Sequence, residues 1–328
     1  MIKIESIIIG AGPCGLSASI EQKKRGIENI VIEKGNVVEA IYNYPTHQTF
    51  FSTSEKLSIG DIPFIVEEHK PRRNQALVYY RSVVKHHDLN IHSNEEVLKV
   101  YKQDDTFIVT TNKNNYECKY VTVATGYYGQ PNKLEVPGAN LKKVHHYFKE
   151  AHPYFDKDVV IIGGKNSAVD AAIELEKAGA RVTAVYRGDA YSKSVKPWIL
   201  PLYESLVNHE KIKLHFNSHV KSITEDEVTI ETPDGEKTIK NDTVFAMIGY
   251  HPDYTFLSDM GIELITNEYG TAPFYNHETM ETNIKNLYIA GVIAAGNDAN
   301  TIFIENGKFH GGMIAEDIKR KQFERDNK

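Results

Sequence analysis

The sequence predicts an α/β fold in which helices cover parallel sheets in two domains. The first observation is an apolar stretch, Ile7–Ile9, that leads into a glycine-rich turn and a helical pattern. The second is a repeat of this arrangement near Asp158, halfway along the chain. The third is the length of 328 residues, which favours about two domains. Together these patterns predict three-layer, Rossmann-like domains.

The first strand–turn–helix unit carries the spacing Gly10-x-Gly12-x-x-Gly15. In such a turn, the first glycine permits the tight bend, the second lets backbone approach a phosphate, and the third lets helix and strand pack closely. The helix N-terminus adds unpaired amide hydrogens and a partial positive charge. Glu33 ends the next apolar run, where a ribose-binding carboxylate belongs. The unit therefore predicts a dinucleotide site.

The second unit consists of a strand over Asp158–Ile162, a turn that begins at Gly163, and a helix from Val169 to Ala178. The next strand, Arg181–Tyr186, is followed by Arg187, where a site for NAD would have an acid. An arginine there accommodates the 2′-phosphate of NADP through charge-assisted hydrogen bonds. The pattern favours NADPH; the alternative is that Arg187 is a surface residue leading into a loop.

Three more predicted strands end in small-residue turns, and a helix closes the chain. The strands precede Ala124-Thr-Gly126, Gly249-Tyr-His-Pro252 and Ala290-Gly291, and the helix is predicted from Ile302 to Arg320.

Composition argues against several classes of protein. The net charge of −6 disfavours a nucleic-acid partner. No apolar run approaches the roughly 20 residues of a membrane span, and no signal-peptide pattern opens the sequence. Two cysteines, Cys14 and Cys118, are too few for a disulfide framework, so we expect a reducing, cytoplasmic location. The His doublets at 86–87 and 145–146 lack metal-ligand spacing, and no metal site is predicted.

Taken in order, these landmarks resemble the two-domain flavoprotein reductases of the thioredoxin reductase type over nearly the whole chain. The resemblance implies a discontinuous FAD domain, residues 1–128 and 250–328, with an NADPH domain, residues 150–249, inserted into it. Residues 129–149 are expected to form a linker.

Four runs are similar to the YpdA-type bacillithiol-disulfide reductases of Firmicutes: Gly12–Gly15, Phe50–Glu55, Gly163–Ala168 and Asn297–Asn306. This resemblance implies FAD, NADPH, a small-molecule disulfide substrate such as bacillithiol disulfide, and a homo-oligomer, dimer or tetramer. The FAD-binding residues that we expect are Gly10, Gly12, Pro13, Cys14, Gly15, Glu33, Lys34, His47, Gln48, Val97, Ala124, Thr125, Gly126, Gly291, Val292, Thr301 and Ile302. The NADPH-binding residues that we expect are Gly163, Gly164, Lys165, Asn166, Ser167, Arg187 and Lys193.

The sequence departs from the wider family at three places. The predicted NADPH domain has no cysteine, and so no Cys-x-x-Cys, which disfavours direct reduction of thioredoxin through a dithiol. Val292 follows Ala290-Gly291 where the family has an Asp that binds a flavin-chain oxygen; backbone or another group, such as Asp298, must supply that contact. Lys165 replaces the middle glycine of the second turn, where its side chain either neutralises pyrophosphate or its Cβ hinders the backbone approach.

Two residues are candidates for catalysis. The N-terminus of the first helix is expected to lower the pKa of Cys14, so this thiol is a candidate relay that forms a mixed disulfide with substrate; the alternative is a small packing residue. His47 is a candidate hydrogen-bond or proton donor beside the flavin, or else an exposed structural histidine. Residues Thr301–Phe303 are expected to start the last helix, with their amides toward the flavin.

Three other functions stay open at this point. A ferredoxin–NADP reductase of the thioredoxin-reductase-like type also lacks Cys-x-x-Cys. A flavin monooxygenase is suggested by Ala124–Pro131, although Phe-x-Gly-x-x-x-His is absent upstream of the second turn. A nucleotide-sensing protein that keeps flavin as structure is the alternative outside the enzymes.

Overall fold

The computed structural model describes residues 1–268, 270–298 and 301–327, and the chain divides into two compact units. The first unit is residues 1–130 with 251–328, and the second is residues 131–250. In chain order the strands are β1 Ile2–Lys3, β2 Ser6–Ile9, β3 Asn29–Glu33, β4 Ile91–Ser93, β5 Val97–Gln103, β6 Thr106–Thr111, β7 Asn115–Cys118, β8 Tyr120–Val123, β9 Val144–His145, β10 Asp158–Ile162, β11 Arg181–Val185, β12 Ile212–His215, β13 His219–Ile223, β14 Glu227–Thr232, β15 Gly235–Lys240, β16 Thr243–Ala246, β17 Leu264–Asn267, β18 Gly270–Pro273 and β19 Leu287–Ile289. The α-helices are α1 Pro13–Lys24, α2 Glu39–Tyr42, α3 Ser54–Leu57, α4 Arg73–His86, α5 Asn166–Lys177, α6 Leu200–Asn208, α7 Tyr254–Asp259, α8 Ile304–Gly307 and α9 His310–Asp326, with 3₁₀ turns at His152–Tyr154 and Val292–Ala295.

The first unit is built on a five-stranded parallel sheet of order β19-β8-β2-β3-β4. Strands β2 and β8 are buried along their whole length, and β3 is buried after its first residue. Because both faces of a central parallel strand are covered, these strands are rich in Ile and Val. A second sheet, of order β1-β7-β6-β5, shares one hydrophobic core with the parallel sheet, α1 and α9. This arrangement confirms the predicted α/β fold class.

Helices α1 and α9 pack against each other at a close crossing. A Cβ on Gly311 of α9 would lie 2.6 Å from the Cα of Ala18 in α1. That approach fastens the C-terminal helix to the helix that follows the first glycine turn, so the two ends of the chain complete one unit.

The second unit repeats the parallel design with a sheet of order β12-β11-β10-β16-β9. Helix α5 follows β10 and buries one face, including Val169, Ala172 and Leu175, in the core of this unit. Gly179 has a φ of +86° just beyond the helix end, a conformation that favours glycine. An antiparallel sheet of order β13-β14-β15 completes the unit.

The structure differs from two sequence expectations. Within residues 129–149, expected as a linker, β9 pairs with β16 as an edge strand of the second unit. The single last helix expected from Ile302 to Arg320 is wrong, because α8 and α9 are separate. The Lys308 carbonyl between them accepts a hydrogen bond from the Ser17 hydroxyl at 2.6 Å, which satisfies it outside a helix.

Candidate functional site

The glycine turn of the first unit lies at the carboxyl edge of its parallel sheet. Gly10 has a φ of +107°, and a Cβ there would lie 2.5 Å from the Ala124 carbonyl oxygen. A Cβ on Gly15 would lie 2.0 Å from the Gly10 carbonyl oxygen, so side chains are excluded at both positions. Among the described residues, no atom lies within 4 Å of a Cβ built on Gly12. This open backbone, beside the helix that begins at Pro13, fits a dinucleotide pyrophosphate.

Glu33 joins the end of β3 to this turn. One of its carboxylate oxygens accepts the Ala11 N–H at 2.8 Å, and the other accepts the Gly35 N–H at 2.8 Å. Burial raises the pKa of Glu33, and the two hydrogen bonds partly oppose that shift. Each oxygen has a further lone pair, so the carboxylate can accept ribose hydroxyls while it holds the turn. The exposed Lys34 follows, with its ammonium beside Gly129.

Two more predicted segments reach the same edge of the sheet. Ala124–Gly126 follow β8, and Ala290–Gly291 follow β19; β8 lies between β2 and β19. Gly126 and Gly291 have φ values of +69° and +81°. The carboxyl edge of a parallel sheet is where such folds bind their ligands, and four predicted segments, Glu33 among them, meet there.

The second glycine turn has the same position in its own sheet. Gly163 follows β10 with a φ of +135°, and a Cβ there would lie 2.4 Å from the Met247 carbonyl oxygen. The Ala168 Cβ packs 3.2 Å from that same position, where the first turn has its third glycine. A Cβ on Gly164 would lie 2.4 Å from the ring of Tyr186. A residue larger than glycine at position 164 would therefore clash with the Tyr186 ring, which belongs to the same unit.

The predicted NADPH residues around this turn divide into two groups. Lys165, Ser167, Arg187 and Lys193 are exposed. The Asn166 side chain is engaged within the protein: its Nδ2 donates to the Ser194 carbonyl at 2.7 Å, and its Oδ1 accepts the Lys196 N–H at 3.0 Å. Lys165 immediately precedes α5 as its N-cap residue. The exposed cations and the helix N-terminus suit an anionic ligand.

A family model described as pyridine nucleotide-disulphide oxidoreductase matches residues 7–291 of the chain. The chain belongs to this family of oxidoreductases. Membership implies a flavin and a nicotinamide dinucleotide as cofactors, and the two glycine turns above fit that requirement.

Named relatives of this oxidoreductase are similar over nearly its whole length. A protein of Bacillus subtilis (strain 168) named bacilliredoxin reductase Bdr is 60% identical, over 98% of this chain and 99% of the relative. The solved structure of bacillithiol disulfide reductase Bdr (YpdA) from Staphylococcus aureus is 71% identical, with a TM-score of 0.96, covering 98% of this chain and 99% of that chain. The corresponding structure from Bacillus cereus is 59% identical, with a TM-score of 0.94, covering 97% and 99%. These likenesses confirm the resemblance drawn from the sequence.

His310 is a residue of this oxidoreductase that sequence reasoning missed. It begins α9, and its Nδ1 accepts the Gly291 N–H at 3.1 Å. Burial lowers the pKa of His310 to about 4, so the imidazole is neutral at pH 7 and Nδ1 can accept. The contact fixes the backbone just before Val292, where the wider family has an Asp. No spacing rule marks His310, because the contact joins residues 19 positions apart on different elements.

Cys14 is packed against two glycines of the C-terminal segment. A Cβ on Gly291 would lie 3.0 Å from the Cys14 Sγ, and a Cβ on Gly307 would lie 3.1 Å from it. Burial raises the pKa of the Cys14 thiol to about 12. The expected lowering of this pKa is therefore wrong, because burial disfavours the charged thiolate. The resting form of Cys14 is the neutral thiol.

Of three further predicted FAD residues, two lie on a connecting segment of the first unit and one begins a strand. His47 is exposed, and the neighbouring Gln48 receives the Arg73 N–H on its carbonyl at 2.8 Å. Val97 begins β5 and is half-buried. The preceding segment is tied to the end of β3, since the Glu95 N–H donates to the Glu33 carbonyl at 2.9 Å.

The residues expected to start the last helix do not start it. Helix α8 begins only at Ile304, and Phe303 is its N-cap residue. The Phe303 N–H donates to the Asn306 Oδ1 at 2.7 Å, and the Asn306 Nδ2 donates to the Thr301 carbonyl at 2.8 Å. The Phe303 amide is thereby engaged within the chain and not available to a flavin. Thr301 and the half-buried Ile302 precede the helix; residues 299 and 300 of the same run lie outside the described residues.

Two kinds of feature are absent from the residues that the structure describes. No group of three or more His, Cys, Asp or Glu side chains there is arranged to hold a metal ion. Within the same residues, no helix combines the length and the apolarity that crossing a membrane requires.

Proposed function

We propose that this oxidoreductase is an NADPH-dependent FAD flavoprotein that reduces a low-molecular-weight disulfide, with bacillithiol disulfide as the first substrate to test. The observation that carries the proposal is the difference between the two turns: Glu33 ends the strand after the first, and Arg187 follows the strand after the second. The names of the relatives at 59–71% identity support the disulfide. A bound flavin would supply the chemistry of hydride acceptance from NADPH and of two-electron transfer to the disulfide, which would take up two protons to give two thiols.

The chain's own residues bind and orient the two cofactors. The N-terminus of α1 would hold the FAD pyrophosphate, and Glu33 would accept hydrogen bonds from the ribose hydroxyls. At the second turn, Lys165 and the N-terminus of α5 bind the NADPH pyrophosphate. Arg187 and Lys193 pair with the 2′-phosphate. The preference for NADPH over NADH follows from these two cations.

Cys14 and His47 are the candidate catalytic residues. In the relay that we propose, the Cys14 sulfur attacks the disulfide, giving a mixed disulfide and one thiol. Two electrons supplied by NADPH through the flavin, with two protons, would then cleave the mixed disulfide to the second thiol and the free Cys14 thiol. His47 is the candidate donor of a proton to the departing sulfur. Because burial raises the pKa of Cys14 to about 12, a relay requires the thiol to lose its proton as it attacks.

A second candidate acceptor is a protein disulfide. The Bacillus subtilis relative is named a bacilliredoxin reductase, and it covers 98% of this chain. The absence of Cys-x-x-Cys from the sequence removes the dithiol through which a thioredoxin reductase acts, but leaves transfer from the flavin itself. A bacilliredoxin carrying a mixed disulfide therefore belongs in the same assay as the free disulfide.

The test is anaerobic reduction of the FAD-loaded protein by NADPH, followed by a panel of acceptors. Bacillithiol disulfide, a bacilliredoxin mixed disulfide, ferredoxin and oxygen are compared. We expect rapid bleaching of the flavin by NADPH and turnover with one of the two disulfides. Turnover with ferredoxin alone would support a ferredoxin–NADP reductase, and turnover with oxygen alone would support a flavin monooxygenase. No turnover with any acceptor would support a nucleotide-sensing role.

Replacement of Cys14 separates the relay from the flavoenzyme. We expect Cys14→Ser to keep flavin reduction by NADPH and to lose at least about tenfold in disulfide reduction, equivalent to roughly 1.4 kcal/mol of barrier. The matched control is Cys118→Ser, at a buried cysteine in β7 that we assign to packing. Undiminished disulfide reduction in Cys14→Ser would end the relay and leave the flavoenzyme intact.

We also infer the setting in which the protein works. A reducing, cytoplasmic compartment suits two unpaired cysteines and a thiol-regenerating reaction. A homo-oligomer, dimer or tetramer, is the assembly we propose, and sedimentation of the FAD-loaded protein tests it.

A further inference from the structure

The loop after β11 carries the cations proposed for NADPH, and part of it is fastened to α5. The Asn166 side-chain amide binds this loop with both of its polar atoms. It donates a hydrogen bond to the Ser194 carbonyl and accepts one from the Lys196 N–H. Asn166 is the first residue of α5 and adjoins Lys165 in the glycine turn. These hydrogen bonds therefore hold Ser194, and with it the neighbouring Lys193, at the N-terminal end of the helix.

A buried ion pair fastens the same segment one helical turn further along. The Lys196 Nζ lies 3.0 Å from the Asp170 Oδ2. Lys196 is only 8% exposed and Val195, beside it, is 4% exposed within the core of the second unit. A lysine this deeply buried requires its partner, because an unpaired buried charge is strongly destabilising. The ion pair thus adds to the Asn166 hydrogen bonds in holding the segment 194–196 on α5.

The pattern of exposure suggests why the segment is docked so firmly. Lys193 is exposed while Lys196, three residues later, is buried and paired. Lys196 therefore anchors the loop through its ion pair with Asp170. Lys193, on the same loop, is exposed and can bind an external anion. The Ser192 and Ser194 hydroxyls, 2.9 Å apart, brace the loop around Lys193.

We propose that Asp170 and Asn166 are positioning residues for the 2′-phosphate of NADPH, because they fix the segment 194–196 on α5 and hold Lys193 beside the second glycine turn. This inference rests on the proposed function, in which NADPH is the electron donor. Neither residue contacts the phosphate; both act through the loop. Their replacement should weaken the binding of NADP⁺ much more than that of NAD⁺, which lacks the 2′-phosphate.

The test compares the binding of NADP⁺ and NAD⁺ to the FAD-loaded full chain by titration calorimetry. For Asp170→Asn we expect the Kd for NADP⁺ to rise by about tenfold, and the Kd for NAD⁺ to change by less than about twofold. Lys193→Ala should show the same selective loss. The matched control is Glu174→Gln, one turn beyond Asp170 on α5. It removes the 2.9 Å ion pair between Glu174 and Lys177, neither of which lies on the loop. The control should bind both nucleotides as the wild type does.

Trypsin supplies a readout that is independent of binding and turnover. Cleavage after Lys193 should be faster in Asp170→Asn than in the wild type or in Glu174→Gln. If Asp170→Asn does not fold, the double variant Asp170→Asn/Lys196→Met leaves no unpaired buried charge, and it should show the same selective loss for NADP⁺, because the anchor is gone. An equal loss for both nucleotides, or no loss for NADP⁺, would overturn the inference. A wild type that binds NAD⁺ as tightly as NADP⁺ would instead contradict the proposed use of NADPH.

Discussion

At the scale of single residues, the site of the first unit depends on side chains that have to act as hydrogen-bond acceptors. Glu33 binds two backbone amides with its two oxygens and so has to accept at both. His310 likewise has to stay neutral, because a protonated imidazole has no acceptor for the Gly291 N–H. Gly291 is itself buried, so loss of that acceptor would leave its amide without a partner in the protein interior.

His310 should make the stability of the protein depend on pH. Its pKa in the folded chain is about 4, against an ordinary 6.5, so the unfolded chain binds the proton more readily between these values. Its contribution is complete above pH 6.5 and is lost as the pH falls toward 4, by about 2 kcal/mol between pH 7 and pH 5. His310→Asn, which keeps an acceptor, should remove this part of the pH dependence in chemical denaturation. His310→Leu should in addition lose about 1–3 kcal/mol at pH 7. Wild-type and variant curves that run parallel from pH 7 to pH 5 would contradict the assignment.

At the scale of elements, the crossing of α1 and α9 is set by backbone contact. Adjacent glycines of α9 differ in their surroundings: Gly311 faces the backbone of Ala18, whereas among the described residues no atom lies within 4 Å of a Cβ built on Gly312. A neighbour that is backbone cannot rotate away, so the space at Gly311 is fixed by the helix crossing.

The two glycines should therefore respond to alanine with opposite signs. Gly311→Ala has to push the helices apart and should cost about 1–3 kcal/mol of unfolding free energy. Gly312→Ala should stabilise the protein by about 0.5–1 kcal/mol, because alanine loses less backbone entropy in a helix. Urea denaturation of the FAD-loaded protein measures both. Equal effects at the two positions would show that the crossing is looser than the structure has it.

The sequence predicts elements well where the signal is local. Gly10, Gly15 and Glu33 belong to one short motif, and the structure brings them together. The break between α8 and α9 could not be predicted, because the Ser17 hydroxyl that binds the Lys308 carbonyl is 291 positions away. The Asp170–Lys196 pair was missed for a similar reason, since a helix residue and a loop residue carry no shared spacing. Burial also reversed the expected pKa shift of Cys14, whose sulfur packs against Gly291 and Gly307, far from it in sequence.

At the scale of the whole molecule, the two units have separate hydrophobic cores. Residues of the first unit form one cluster, and those of the second form two others, one on each side of their sheet. A ligand that binds one folded unit stabilises that unit by mass action, by about 2.7 kcal/mol at a concentration of 100 times the Kd. Each cofactor should therefore slow local opening mainly in the unit that binds it.

Hydrogen exchange with mass spectrometry of the full chain can test this division. With FAD, we expect exchange to slow in peptides covering Gly10–Gly15 and Glu33, because the backbone at Gly12 is open and the Glu33 carboxylate binds the Ala11 N–H beside it. With NADP⁺ added to the FAD-loaded protein, we expect slowing at Gly163–Ser167 and at Arg187–Lys196. NAD⁺ should protect the first of these two segments and not the second, because it lacks the 2′-phosphate. Protection by NADP⁺ at Gly10–Gly15 with none at Gly163–Ser167 would reverse the assignment of the two turns.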